Sequence, residues 1–143
     1  VHCLLYQGRY NLFNREPEEE GILRQAKENG TGFIAFSPLA QGLLTDRYLN
    51  GIPENSRIAK GGFLKKEALT EEVLSKIQAL NALAIRRGQT LAEMALAWIL
   101  KDDLVTSVII GASSVGQLAD NLKAMENTAF SAEELESIYQ IVK

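Results

Sequence analysis

Short apolar runs alternate with longer amphipathic stretches along this chain, and glycine, proline or asparagine marks most of the changes between them. The run "HCLLY", His2 to Tyr6, predicts a short buried strand ending at Gln7 and Gly8. Pro17, followed by Glu18, Glu19 and Glu20, predicts a helix start, because proline suits a first turn and the acids complement the positive end of the dipole. That helix is expected to stop at Asn29-Gly30, a pair that readily takes the left-handed cap conformation. "GFIAFS", Gly32 to Ser37, predicts a second buried strand closed by Pro38. From there to about Leu69 no period is sustained, and a stretch that long inside a compact domain is usually functional or disordered.

Helical patterning then resumes. Thr70 caps a segment whose apolar stripe runs through Val73, Leu74, Ile77, Leu80 and Leu83, with Arg86 and Arg87 in the last turn and Gly88 as the stop. Thr90 and Glu93 form a capping box for a helix to Leu100 that is apolar on most sides and therefore expected to be deeply packed, Trp98 included. "LVTSVII" predicts the third strand. Ser114 with Gln117, and Ser131 with Glu134, read as two more capping boxes, the latter opening a last helix with Leu135, Ile138, Tyr139 and Val142 on its apolar face.

Strands that alternate with helices and are buried on both faces imply a parallel sheet with helices outside it. A doubly wound open sheet and part of a (β/α) barrel both fit. A barrel needs eight strands and typically about 250 residues, so with three legible strands this chain is at most the smaller part of one.

Composition narrows the partners. A net charge of −3 with no basic stripe gives no sign of nucleic-acid binding. No span approaches the roughly 18 apolar residues of a membrane helix, and no signal peptide is visible. The single cysteine, Cys3, excludes an internal disulfide framework and suits a reducing compartment, so a cytoplasmic location is expected. On its buried strand Cys3 reads as an inert small hydrophobe. The chain opens on Val1 inside an apolar run, which suggests a processed or truncated product.

The polar residues of interest fall at the carboxyl ends of the strands: Gln7 after the first, Ser37 after the second, Gly111 and Ser113 after the third. Both architectures place ligands at that edge. In "SVIIGASSVGQLADNL", Gly111 lets backbone approach a ligand, Ser113 offers a hydroxyl, and the helix from Ser114 presents its positive end to an anion. A tight turn plus a helix cap would use the same residues.

"YQGRYNLFNR", "FIAFSPLAQGLLTDRYL", "MALAWIL" and "SVIIGASSVGQLADNL" together resemble the C-terminal part of the aldo-keto reductases, in consistent order from about Leu4 to Asn127. The resemblance implies a (β/α)₈ TIM barrel that binds NADPH without a Rossmann glycine motif, and makes these strands the last three of the eight. Residues 1–143 are then a partial barrel carrying the NADP-binding part, with the N-terminal catalytic units absent.

The same resemblance implies roles residue by residue. Gln7 touches the nicotinamide carboxamide and Phe36 stacks on the nicotinamide ring, although Phe36 alternates with Ile34 and would also suit a core. Ser37, Pro38, Leu39 and Gln41 run along the pyrophosphate. Arg47 stands where many relatives have lysine; a surface pair with Asp46 is the plainer reading. Arg57 closes over the cofactor from the long aperiodic segment. Gly111, Ser113, Gln117, Asp120 and Asn121 form the site for the adenosine end and its 2′-phosphate, with Asp120 in place of the usual glutamate and Gln117 in place of a frequent arginine. Asp120 and Asn121 would also serve as ordinary solvated helix residues.

The family's Asp, Tyr, Lys, His catalytic tetrad lies on units that precede this chain. His2 sits at the strand end away from the site, and Tyr6 and Tyr10 have no Lys or Asp partner at the motif spacing, so no catalytic residue is assigned. Two functional classes follow: the cofactor-binding part of an NADPH-dependent carbonyl reductase acting on aldehydes or ketones, or a non-catalytic remnant serving as a nucleotide-binding or oligomerising module. Raw sheet edges predict self-association or assembly with a missing N-terminal half.

Overall fold

The computed structural model describes residues 2–54, 58–61 and 66–143. Its centre is a parallel sheet of β1 (Leu5–Arg9), β2 (Gly32–Phe36) and β3 (Ser107–Val108), in the order β1-β2-β3. Helices α1 (Glu16–Glu19) and α2 (Ile22–Glu28) connect β1 to β2; α3 (Glu71–Arg86) and α4 (Leu91–Ile99) precede β3; α5 (Val115–Leu122) and α6 (Ala132–Val142) follow it. This is the α/β organisation expected from the alternation of patterns.

The core lies on one side of the sheet. Phe33 and Ala35 are wholly buried there, and the all-apolar α4 supplies Met94, Ala95, Trp98 and Ile99 to the same cluster. Ile77, Leu80 and Leu83 of α3 join it along the predicted stripe. Trp98 is held by the Tyr10 ring at 5.1 Å and by the Lys101 ammonium at 4.2 Å from its centroid. Gly8 belongs to this layer through its missing side chain: a Cβ would come within 2.9 Å of the Phe33 ring.

The strands differ from expectation at their ends. β1 starts three residues later than "HCLLY" and runs through Gln7 and Gly8, because its pairing with β2 continues from Leu5↔Gly32 to Arg9↔Phe36. It is largely exposed, since among the described residues no strand covers its outer edge. Cys3 is therefore exposed and outside the strand. β3 shrinks from "LVTSVII" to two residues, although Thr106 and Ile109 also donate backbone N–H groups to Phe33 and Ala35. The expected helix from Pro17 to Asn29 is two helices, broken where Gly21 takes φ 76°. Gly30 adopts the left-handed cap expected of it, and Gly88, expected as the stop of α3, takes the same conformation.

Two capping boxes form fully, Thr90 with Glu93 and Ser131 with Glu134. The third does not. Ser114 Oγ accepts the Gln117 N–H, but the Gln117 side chain turns to Ser113 instead of returning to Ser114.

The loop after α3 and the segment between α5 and α6 are tied to α6 by Arg87. Its guanidinium is ion-paired with Glu134 and donates to Gln89 Oε1 (2.9 Å) and the Ala129 carbonyl (2.9 Å), while lying 3.7 Å from the Phe130 ring centroid. Glu134 is also the N3 residue of the α6 capping box, so one carboxylate closes both structures.

Candidate functional site

Two adjoining cavities open at the carboxyl ends of β2 and β3. The first, about 220 Å³, is bounded by the turn Ser37, Pro38, Leu39 and Gln41 on one side and by Gly111 on the other. The second, about 520 Å³, runs along α5 past Ser113, Asp120 and Asn121. Leu39, Thr45, Arg47 and Gln117 line both, so the two form one groove. Ten of the sequence-predicted site residues thus meet there: Ser37, Pro38, Leu39, Gln41, Arg47, Gly111, Ser113, Gln117, Asp120 and Asn121. Gln7 and Phe36 stand apart on the sheet face, and Arg57 lies outside the described residues.

The turn after β2 is strained. Ser37 has φ 53°, Ala40 φ 47° and Gln41 φ 60°, left-handed values that favour glycine. Such residues cost on the order of 1–3 kcal/mol each and persist where the surroundings over-determine them, commonly at ligand sites. Pro38 occupies the second position of a turn closed by the Ala40 N–H on the Ser37 carbonyl at 3.1 Å. The same carbonyl accepts a second hydrogen bond, from Asn11 Nδ2 at 2.9 Å. Asn11 lies within the family-like stretch "YQGRYNLFNR", but no periodicity or spacing singles it out as a site residue.

At the opposite wall, α5 presents its N-terminus. Ser113 N–H and Oγ both donate to Gln117 Oε1, at 2.6 and 2.9 Å. A side-chain oxygen thus occupies the position that an anion's oxygen takes at a helix N-terminus. Gly111 leaves the floor open: a Cβ built there meets no atom within 4 Å.

Arg47 is exposed, and among the described residues its guanidinium forms no ion pair, with Asp46 or any other acid. Asp120 is paired with Lys123 at 2.9 Å. Asn121 is buried at 6% exposure and is not the solvated residue its helix position suggested. Its Nδ2 has no hydrogen-bond partner among the described residues, although it lies on the groove wall. A buried amide donor left unsatisfied costs roughly 1–3 kcal/mol, so this atom marks a place where an acceptor belongs.

The sheet face away from the helices carries Gln7, Arg9, Ile34 and Phe36, whose register makes Gln7↔Ile34 and Arg9↔Phe36 neighbours. Phe36 is half-buried, on the face opposite Phe33 and Ala35, and so is not core; the Arg9 guanidinium lies 6.0 Å from its ring. Gln7 is exposed and inside β1 instead of following it. Tyr6 stacks on Phe33, 5.6 Å between centroids, toward the helices. Tyr10 is buried, and its hydroxyl donates to Glu18 at 3.2 Å. Burial, then the Glu18 carboxylate, pushes its pKa far above the usual phenol value. Neither tyrosine lines the groove. Among the described residues no group of three His, Cys, Asp or Glu could hold a metal ion, and no helix is long and apolar enough to cross a membrane.

Comparison with known proteins gives the class. The aldo/keto reductase family model matches residues 1–143, and the chain belongs to that family. It is 50% identical to the L-glyceraldehyde 3-phosphate reductases of Escherichia coli O157:H7 and strain K12, over 98% of this chain but 42% of those proteins. It is 37% identical to a probable voltage-gated potassium channel subunit beta of Arabidopsis thaliana, over 88% of this chain and 39% of that one. Among solved structures it resembles the aldo-keto reductase AKR11C1 from Bacillus halodurans in its holo form, with TM-score 0.73 and 28% identity over 98% of this chain and 43% of that one. The thermostable aldo-keto reductase Tm1743 gives TM-score 0.67 at 27% identity, covering 96% and 39%. The fold is therefore part of the TIM barrel of this family, and the chain spans well under half the length of these relatives.

Proposed function

We propose that this chain is the cofactor-holding part of an NADPH-dependent aldo-keto reductase that reduces aldehydes or ketones. The observation that carries the reading is Asn121, a buried amide donor without a partner among the described residues, on the wall of a groove that also holds an arginine with no ion pair among them and a helix N-terminus. An adenosine 2′-phosphate supplies the acceptors that such donors lack. Ser113, Gln117 and Asn121 would hold that end, with Asp120 released from Lys123 to reach the base. Arg47 and the turn from Ser37 to Gln41 would hold the diphosphate, with Arg57 closing over it. Phe36 and Gln7 would take the nicotinamide on the sheet face. When bound, the cofactor supplies the hydride; these residues bind and orient it. The general acid has to come from elsewhere in a complete barrel, since Tyr10 is buried with its hydroxyl hydrogen-bonded to Glu18 and Tyr6 faces the helices.

Titration of the chain with NADPH, followed by cofactor fluorescence, is expected to saturate, and a parallel NADH titration reads the preference for the 2′-phosphate. No saturable change at millimolar cofactor rejects the reading. Carbonyl reduction is expected only once the complementary N-terminal units are supplied.

A second reading, a non-catalytic nucleotide-binding or oligomerising module, is favoured by Leu4 at 75% and Leu5 at 51% exposure beside the open sheet edge. Under either reading the chain needs a covering partner, a second copy or the rest of the barrel. Sedimentation is expected to show self-association; a well-folded monomer at micromolar concentration contradicts this. The proposed location is cytoplasmic.

A further inference from the structure

We propose that Asn11 is a positioning residue of the groove: its amide holds the turn from Ser37 to Gln41 in the left-handed conformation that lines the cofactor site. The inference rests on the reading of the groove as an NADPH site.

Asn11 is buried at 3% exposure in the loop after β1, and every polar atom of its amide is engaged. Its Oδ1 accepts the N–H groups of Phe13 (2.8 Å) and Asn14 (2.9 Å), and its Nδ2 donates to the Ser37 carbonyl at 2.9 Å. The backbones of Asn11 and Asn14 bond each other in both directions at 3.1 Å, so the residue that reaches across is itself fixed. The network also fixes the amide orientation, because a flip would set donors against donors. The contact spans 26 residues of sequence, from the end of the first strand to the end of the second.

The held group is the one that needs holding. Ser37 combines φ 53° with a following proline, and proline already restricts the backbone of the residue before it. Without the Asn11 donor, the Ser37 carbonyl keeps, among the described residues, only the Ala40 N–H from within its own turn. A turn that strained relaxes toward ordinary backbone unless something outside it supplies a restraint. Of the natural side chains this short, asparagine offers an acceptor and a donor in this geometry, whereas ionised aspartate offers acceptors alone.

Asn11→Asp separates the two functions of the side chain. It keeps the acceptor for Phe13 and Asn14, loses the donor to Ser37 and places a carboxylate against a carbonyl. Lowering the pH restores a donor, because a protonated carboxyl group has the amide's pattern of one acceptor and one donor. NADPH affinity is expected to fall about tenfold in Asn11→Asp at pH 8, as for loss of a buried hydrogen bond. The ratio to wild type is expected to shrink as the pH is lowered to 5.5. Asn11→Ala is expected to weaken affinity at least as much, with no recovery on acidification. Backbone NMR shifts of Ser37, Leu39, Ala40 and Gln41 are followed in the same samples without cofactor.

Wild-type affinity in Asn11→Asp at pH 8 with unchanged turn shifts would overturn the inference. So would equal weakening in both variants without acid recovery, which would assign Asn11 to packing alone. If wild type itself fails to bind NADPH, the cofactor reading falls. Displaced turn shifts in Asn11→Asp would then still support the tether, and unchanged ones would reject it.

Discussion

Arg87 and Arg47 are the same residue in opposite conditions. Arg87 has a side chain only 5% exposed, is ion-paired with Glu134, bonded to two loop acceptors and laid on Phe130. Arg47 stands at the wall of the groove, exposed, with no ion pair among the described residues. The first is part of what keeps the helices together; the second has its charge available to a ligand. A guanidinium's role here is read from what already occupies its donors.

The sharpest way to break that contrast is to remove each group in turn. Arg87→Ala leaves Glu134, Gln89 Oε1 and the Ala129 carbonyl without their donor, and with the Glu134 side chain still 27% exposed the cost is expected to be about 2 kcal/mol. Chemical denaturation measures it, and Arg87→Lys is expected to recover only a small part, since an ammonium cannot serve the same fork of acceptors. Arg47→Gln is expected to leave the unfolding midpoint unchanged and weaken NADPH about tenfold, as for loss of a charge-assisted bond. If Arg47→Gln unfolds the chain, the contrast collapses.

Acid separates the two regions more gently. Burial raises the Glu134 pKa, but the Arg87 guanidinium and the Ser131 N–H outweigh it and hold the carboxyl below its ordinary value. A carboxyl depressed on folding contributes stability above its unfolded pKa and loses it as pH falls through the folded one. Wild type is therefore expected to lose stability on acidification below the ordinary glutamate range more steeply than Arg87→Ala, with unfolding curves at successive pH values as the measurement. The smallest expected effect is at Gln117. Its carbonyl must leave Ser113 to meet the ligand, so the gain of a cofactor contact is partly offset, and Gln117→Ala is expected to weaken NADPH only about two- to threefold, within the net worth of one hydrogen bond. Tighter binding would make the Gln117 side chain a competitor of the cofactor and remove it from the proposed site.

How much was legible follows the range of the interactions. Thr90–Glu93 and Ser131–Glu134 are three-residue contacts, and the structure forms both as the sequence spells them. The stripe of α3 and the packing of Trp98 follow from local periodicity in the same way. The ends of β1 and β3 did not follow, because parallel pairing with β2 sets them, and a partner strand is invisible in the apolar run itself. In the groove, the family motifs brought together ten residues on separate elements. They could not tell that Asn121 is buried, that Asp120 is held by Lys123, or that Gln117 bends back to Ser113. Asn11 escaped for the same reason as the strand ends: its partner is far off in sequence.

The turn after β2 has one more consequence. Ser37, Ala40 and Gln41 each hold a left-handed backbone with a side chain attached. Glycine at any of the three would relieve about 1 kcal/mol or more of native strain, though it would also enlarge the freedom of the unfolded chain. At Ala40 and Gln41, therefore, relief of backbone strain and the shape of the turn pull in opposite directions: a glycine there would loosen the place where the fold is most exacting.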